Sequence, residues 1–368
     1  MRSRPLGSTG LVVSEIGLGL AAVGRPGYIN LGHDADIGAD KDIEVMRRRA
    51  TALLDRAFER GVRYFDAARS YGRAEEFLAS WLEGRSRSLA LPLGPDDVTI
   101  GSKWGYRYVA GWRTDVEVHE VKDHSVGAFR EQYAETRSWL DGWLDLYQIH
   151  SAVLETGVLE DREVLASLVG LADDGVVAGL SVSGPAQGEV VRMALEAEVD
   201  GVNPFRCVQA TWNVLEPSAG PALAEAAAAG WGVIVKEAVA NGRLSSRGVE
   251  FGLGLGDGGG VAAAIAERHG VGIDAVALAA VLAQPWVGVV LSGAASLDQL
   301  DSNLAAASVE LDANKQKKPN ATNPLMRTKP PSPNACTLRV PQRLLPLNRR
   351  AEAIILFSFL IGTMRVKW

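Results

Sequence analysis

The chain has 368 residues, of which 47% are hydrophobic and 22% charged, and its formal net charge is −6. This length and apolar content suit one large barrel or two average domains with a packed core. The negative charge argues against nucleic-acid binding, and two distant cysteines, Cys207 and Cys336, argue against a disulfide scaffold or a structural metal site.

Short apolar runs alternate with amphipathic segments along most of the chain, as expected when parallel strands are covered on both faces by helices. Strands are predicted at residues 15–20, 62–66, 98–103, 144–150, 177–183, 202–212, 232–237 and 287–293. Helices are predicted at residues 42–60, 125–143, 161–173, 188–197 and 217–229. Eight repeats of strand and helix predict an α/β fold, the (β/α)8 TIM-type barrel.

A doubly wound sheet is the competing architecture, but it usually carries a glycine-rich phosphate loop directly after its first strand. The candidates are GLGLAAVG, from Gly17, and GLGLGDGGG, from Gly252. The first opens no convincing helix, and the second is predicted to be a flexible loop. The barrel is therefore favoured.

Ionisable residues end three consecutive predicted strands. Asp66 ends the strand in VRYFDAARSYG and Tyr71 follows in the same loop, Lys103 ends the strand in VTIGSKWG, and His150 ends the strand in LDLYQIHS. Burying charges at strand ends is costly unless they are paired, and the carboxyl ends of barrel strands form the catalytic face. We expect Lys103 to lower the pKa of the Tyr71 phenol, Asp66 to hold Lys103 charged, and His150 to orient a carbonyl.

This quartet, with LGSTGLVVSEIGLG at the start and LSGAASLDQLDSN near residue 300, resembles the aldo-keto reductase family across roughly residues 4–310. The resemblance implies an N-terminal β-hairpin below the barrel and a catalytic tetrad in which Tyr71 is the general acid and base. It also implies an NAD(P)(H)-dependent oxidoreductase that interconverts a carbonyl (aldehyde, ketone or aldose) and an alcohol without a metal.

The resemblance also implies a cofactor site. Ser181 in GLSVSG and Gln209 in VQATWN match the residues that bind the nicotinamide carboxamide, although Val182 stands where the family often has Asn. Trp212 is expected at the edge of the nicotinamide pocket or as a packing residue. Lys236, beside the acidic Glu237, is a candidate phosphate ligand.

The adenosine end is implied by the stretch after the eighth strand, with candidate contacts at Gly293, Ala294, Ser296, Gln299 and Asn303. Many NADP-preferring relatives place Lys at the Gly293 position and Arg at the Gln299 position. Neither cation is present here. The habit of the family still favours NADP(H) weakly over NAD(H), with NAD use or dual use left open.

Two long connections, residues 84–97 and 106–122, are expected to frame the substrate mouth. Trp104, Tyr106 and Trp112 are the candidate substrate-binding residues there. The histidines outside the tetrad, His124 among them, are predicted to lie at the surface. Cys207, within a strand, is expected to be a buried small hydrophobic residue.

Residues 1–314 are predicted to form the barrel, and 315–368 a basic, Pro-rich, disordered extension of unknown role, with eleven Lys or Arg against one acid. Its AIILFSFLIG run is too short to span a membrane, which leaves an interfacial anchor or an aberrant extension as interpretations.

The first residues lack a secretory signal, so a cytoplasmic protein with a small-molecule partner is expected. Two alternative functions remain: a nucleotide-sensing regulatory subunit similar to potassium-channel β subunits, and an NAD-dependent sugar dehydrogenase.

Overall fold

The computed structural model describes residues 1–27, 32–88, 92–252 and 257–311. The strands are β1 (Ser3–Pro5), β2 (Val12–Ser14), β3 (Ile16–Gly19), β4 (Tyr64–Asp66), β5 (Thr99–Trp104), β6 (Tyr106–Tyr108), β7 (Glu120–Lys122), β8 (Leu144–Ala152), β9 (Val177–Val182), β10 (Cys207–Thr211), β11 (Gly232–Lys236) and β12 (Val289–Ser292). The α-helices are α1 (Ala21–Gly24), α2 (His33–Ile37), α3 (Ile43–Glu59), α4 (Ala74–Ser86), α5 (Val126–Leu140), α6 (Arg162–Val169), α7 (Gln187–Glu196), α8 (Gly220–Ala228), α9 (Ser246–Glu250), α10 (Asp257–His269), α11 (Ile273–Leu282) and α12 (Leu297–Leu304).

Eight parallel strands close into a barrel in the order β3, β4, β5, β8, β9, β10, β11 and β12. The predicted (β/α)8 barrel is therefore confirmed, and each predicted strand matches one of these within a few residues, except the sixth. That strand, predicted from residue 202, begins only at Cys207. Pro204 cannot donate to a strand ladder, and the Asn203 side chain accepts from the Phe205 N–H in a local turn.

Polar side chains start the helices that cover the barrel. The Asp42 carboxylate caps α3, the Ser125 hydroxyl caps α5 and the Asp161 carboxylate caps α6, each by accepting from a backbone N–H of the first turn. The apolar faces of these helices pack against the outward side chains of the strands in one large core. This packing holds the barrel strands together and so positions the residues at its rim.

The predicted N-terminal hairpin, β1 and β2, closes the bottom of the barrel. Leu6, in its turn, is fully buried. A Cβ atom at Gly232 would lie 2.5 Å from Leu6 Cγ, and one at Gly288 would lie 2.9 Å from Leu6 Cδ1. Glycine at both positions therefore makes room for Leu6, which packs into a small apolar cluster with Leu146, Cys207 and other residues of the barrel strands.

A bulge near the start of β8 decides which of its side chains face the barrel interior. Ile100 pairs with Leu144, but the next residue of β5 pairs with Leu146, so Asp145 is skipped, and its carboxylate accepts from the Ile100 N–H at 2.7 Å. Since side chains alternate along a strand, a one-residue shift exchanges the two faces. After the bulge, Leu146 joins the interior cluster while Tyr147 and Ile149 pack outside. His150 then follows on the inward side.

The connection after β5 contains structure that the sequence did not predict. Residues of the expected loop 106–122 form an antiparallel hairpin, β6 and β7. A short helix, α2, lies in the connection between β3 and α3, with Ile37 packed against Ala22 and Ala295.

The boundary predicted at residue 314 and the extension beyond it lie outside the described residues. In the described part of the chain, no helix has the length and apolarity needed to cross a membrane.

Candidate active site

A buried ion pair lies at the carboxyl end of the barrel. Lys103 Nζ is 2.5 Å from Asp66 Oδ2 and also donates to the Ala67 carbonyl oxygen at 2.8 Å. The two side chains are 0% and 2% exposed. Burial lowers the pKa of Lys103, and the adjacent Asp66 opposes that shift. Adjacent strands β4 and β5 thus place an acid and an amine together, as the sequence predicts.

Two further side chains hold Asp66 in place. The Tyr64 hydroxyl donates to Asp66 Oδ1 at 3.2 Å, and Gln209 Nε2 donates to the same oxygen at 3.0 Å. Burial raises the pKa of Tyr64 well above its usual value, so its hydroxyl keeps the proton that it donates. A Cβ atom at Gly101 would lie 2.6 Å from the Tyr64 hydroxyl oxygen. Tyr64 was not predicted as a site residue, because its sequence position is that of an ordinary buried aromatic.

Tyr71 lies in the loop after β4, where its N–H donates to the Ala68 carbonyl oxygen at 3.0 Å. Lys103 Nζ is 5.0 Å from the centre of the Tyr71 ring. The pKa of this phenol is nevertheless not lowered as the sequence predicts. Burial, followed by the negative charge of Asp66, raises the pKa of Tyr71 well above 10.

His150 completes the group of four predicted residues. Its ring meets the Tyr71 ring edge to face at 5.4 Å, and its Nδ1 is 3.3 Å from Ser70 Oγ. Burial and then the charges of Lys103 and Lys236 lower the pKa of His150 well below 6.5. The imidazole is therefore neutral at physiological pH, so one ring nitrogen carries an N–H that can donate a hydrogen bond and the other can only accept.

His124 was predicted at the surface and is instead buried. Its Nε2–H donates to the His150 carbonyl oxygen at 2.9 Å, and its ring lies 5.9 Å from Trp104. Glycine is required at position 105, since a Cβ atom there would lie 2.4 Å from His124 Cδ2 and the backbone φ is +113°. The polar sequence VEVHEVKDHS concealed this position, because the β6–β7 hairpin folds His124 back against β8. Burial lowers its pKa to about 4.

Ser181 supports the backbone at His150. The pairing of β8 with β9 is irregular between Ile149 and Ala152, and Ser151 there has a φ of +55°. The Ser151 N–H donates to Ser181 Oγ at 2.8 Å. The hydroxyl proton of Ser181 therefore remains to be donated elsewhere.

Ser181 and Gln209 together offer a hydrogen-bond donor and an acceptor that fit a carboxamide. The Gln209 amide nitrogen donates to Asp66, which leaves the Gln209 amide oxygen to accept, while Ser181 has a hydroxyl proton to donate. A carboxamide presents one acceptor and two donors, so the two side chains are complementary to it. Trp212 packs against Trp286 at 5.6 Å and is largely buried, which agrees with a packing role. Its place at the edge of a nicotinamide pocket stays a prediction.

The other cofactor candidates follow β11 and β12. Lys236 Nζ lies 3.0 Å from both Thr211 Oγ1 and Glu237 Oε1, so Glu237 compensates its charge. Space is open around the Cα atom of Gly293. Ser296 caps α12, and Asn303 donates to the Ser292 hydroxyl oxygen at 2.9 Å.

The three aromatic residues predicted to contact substrate lie in different environments. The Tyr106 ring meets His150 at 5.0 Å and is partly exposed. Trp112 is also partly exposed, and its Nε1–H donates to the Lys41 carbonyl oxygen at 2.7 Å. Trp104 differs from the expectation. It is fully buried against Phe129 because it points outward from β5, opposite to Lys103, and is a packing residue in this structure.

Cys207 is buried and free, and burial raises the pKa of its thiol, as expected for a core position. Among the described residues, no group of three or more His, Cys, Asp or Glu side chains is arranged to hold a metal ion.

Comparison with known proteins places this geometry in context. The model of the aldo/keto reductase family matches residues 16–322. The oxidoreductase YqkF of Bacillus subtilis, itself uncharacterized, is 26% identical over 188 residues, which cover 50% of this chain and 49% of that protein. Norsolorinic acid reductase stcV of Emericella nidulans is 26% identical over 289 residues, covering 73% and 70%. Pyridoxal 4-dehydrogenase of Microbacterium luteolum is 26% identical over 160 residues, covering 40% and 42%.

The chain thus spans only about half the length of YqkF. Among solved structures, a protein of Pseudomonas aeruginosa described as an aldo-keto reductase superposes with a TM-score of 0.58 at 27% identity, over 83% of this chain and 94% of that one. The holo form of the aldo-keto reductase AKR11C1 of Bacillus halodurans gives a TM-score of 0.61 at 23% identity, over 85% and 93%, a likeness of fold alone.

Proposed function

Because the chain belongs to the aldo/keto reductase family, we propose that this oxidoreductase uses NAD(P)(H) to interconvert a carbonyl and an alcohol, with Tyr71 as proton donor and acceptor. One observation carries the proposal: the buried ion pair of Asp66 and Lys103 lies against the Tyr71 ring, with His150 at the ring edge. Packing alone gives no reason to bury an acid and an amine beside a phenol at a barrel rim.

The chemistry follows from the protonation states. A bound nicotinamide supplies or accepts the hydride. As a carbonyl is reduced, its oxygen becomes an alkoxide, which is a stronger base than a phenolate, so Tyr71 donates its proton even with a raised pKa. The neutral His150 ring donates an N–H to the same oxygen, and Lys103 stabilises the phenolate that Tyr71 leaves behind. In the oxidation direction the same groups act in reverse.

The cofactor is assigned to the rim from β9 to β12. The complementarity of Ser181 and Gln209 to a carboxamide supports a nicotinamide there. Lys236, beside the loop after the seventh barrel strand, is a phosphate ligand once the phosphate competes with Glu237. The stretch after β12 is the candidate site of the adenosine. The habit of the family favours NADP(H) only weakly, because Gly293 and Gln299 stand where many NADP-preferring relatives place cations, and NAD(H) stays open.

Replacing Tyr71 with Phe tests the proton donor. General acid catalysis contributes about 10²–10⁴-fold, so Y71F should lose at least a hundredfold in kcat while its Kd for the dinucleotide and its melting temperature stay unchanged. Tyr133→Phe is the matched control, because the Tyr133 hydroxyl bonds to Asp174 at the surface. Full turnover by a folded Y71F protein would contradict the assignment.

The substrate class calls for a panel of carbonyl compounds assayed with both dinucleotides in both directions. The names of the relatives, norsolorinic acid reductase and pyridoxal 4-dehydrogenase, suggest an aromatic ketone and pyridoxal, to be tested beside small aldehydes and aldoses. Turnover only as sugar oxidation with NAD would support the sugar dehydrogenase. Tight dinucleotide binding without turnover of any compound would support a regulatory subunit.

A further inference from the structure

The first and seventh strand-to-helix connections of the barrel are joined by a salt bridge. Arg247 of α9 donates to the Asp36 carboxylate of α2 through both terminal nitrogens, at 2.8 Å and 2.6 Å. The Arg247 guanidinium lies against Gly32, where a Cβ atom would be 2.6 Å from Nη1. Asp36 is largely buried, and Arg247 is partly exposed.

A third neighbour comes from the connection after the eighth strand. Burial opposes ionisation of Asp36, but Arg247 and Gln299 together hold the pKa of its carboxyl below its usual value. Gln299 Oε1 accepts from the Ala295 N–H at 2.9 Å. Ile37, next to Asp36, packs against Ala295, so the position of α2 over the start of α12 is set by packing as well as by charge.

This cluster lies where barrel enzymes commonly bind phosphate, in the loops after the seventh and eighth strands and at a helix N-terminus. Two cations there already have carboxylate partners. Asp36 compensates Arg247, and Asp34 pairs with Lys41 beside them. Asp298, in the first turn of α12, adds a negative charge, and burial lowers the pKa of His33, so that histidine contributes no cation at neutral pH.

A 2′-phosphate on an adenosine ribose brings about two negative charges and needs cationic partners. A 2′-hydroxyl needs only a neutral donor or an acceptor, and the Asp36 carboxylate is an acceptor. We propose that Asp36 is a specificity-determining residue that repels the 2′-phosphate and makes this chain prefer NAD(H) over NADP(H). This inference rests on the proposed function.

The test is the Kd of the purified full-length protein for NADH and for NADPH, measured by quenching of tryptophan fluorescence in the absence of substrate. The wild type should bind NADH at least about tenfold more tightly than NADPH. Asp36→Asn keeps the shape of the side chain but removes the negative charge that compensates Arg247. It should tighten NADPH binding about tenfold and change NADH binding less than threefold.

Two further variants make the result specific. In Asp36→Asn/Arg247→Gln the gain in NADPH affinity should be lost, since the released cation is then missing. Glu225→Gln, which breaks the exposed pair with Arg192 on α7 and α8, is the matched control and should leave both Kd values unchanged.

A wild type that prefers NADPH would overturn the proposal, as would an Asp36→Asn protein with an unchanged ratio of the two Kd values. In both cases dinucleotide binding itself, and with it the proposed function, would stand. Binding of neither dinucleotide would overturn the nicotinamide function and the role of Asp36 together.

Discussion

The buried His124 makes the stability of the fold depend on pH in a predictable direction. Burial lowers its pKa to about 4, whereas a histidine in the unfolded chain titrates near ~6.5. Between these two pKa values the unfolded state binds a proton at His124 and the folded state does not. The free energy of unfolding therefore decreases as pH falls below about 6.5, until His124 of the folded protein is protonated as well. From these two values the loss is about 2 kcal/mol at pH 5 and about 3 kcal/mol at pH 4.

Replacing His124 with Gln isolates this contribution. Gln is neutral at every pH used and still offers an N–H to the His150 carbonyl oxygen. We expect the difference in free energy of unfolding between wild type and His124→Gln, measured in urea by tryptophan fluorescence, to shift by about 2 kcal/mol in favour of the variant between pH 7.5 and pH 5.

Comparison at two pH values removes the packing cost of the substitution, because that cost is the same at both. His119→Gln, at a partly exposed histidine of the same connection, is the matched control and should follow the wild type. Parallel pH profiles for wild type and His124→Gln would refute the reasoning, since they would mean that His124 is protonated in the folded protein.

Two other substitutions test the rim. Lys103→Met leaves the Asp66 charge buried without its partner, so thermal or urea unfolding should show a loss of about 3–5 kcal/mol, and Asp66→Asn in the same chain should recover much of it. An unchanged melting temperature for Lys103→Met would contradict the burial of the pair. Gly105→Ala should cost about 2 kcal/mol or more by urea unfolding, because its Cβ would overlap the His124 ring at a strained backbone angle. A neutral effect would place His124 elsewhere.

The fold and the four rim residues could be predicted because each rests on a local signal. Buried strands between amphipathic helices have a distinct periodicity, and a charged residue that ends an apolar strand is rare without a purpose. Asp66, Lys103 and His150 each ended such a strand, and the structure brings them together around Tyr71.

The rest depends on contacts between residues far apart in the sequence. Tyr64 looks like any core aromatic until Gly101 is seen to make room for its hydroxyl beside Asp66. The pKa of Tyr71 was predicted in the wrong direction because the burial of its phenol and the nearness of the Asp66 charge are not visible in a sequence. The face of a strand residue such as Trp104 likewise depends on pairing register.

The burial of Leu6 at the bottom of the barrel has a consequence for folding during synthesis. Ser8, two residues on, donates to the carbonyl oxygen of Gly230, 222 residues later, and Leu6 itself needs the gaps at Gly232 and Gly288. On a ribosome the hairpin emerges before the barrel strands, so Leu6 cannot be buried until the last of those strands has left the exit tunnel. We therefore expect closure of the barrel floor to be a late step in folding.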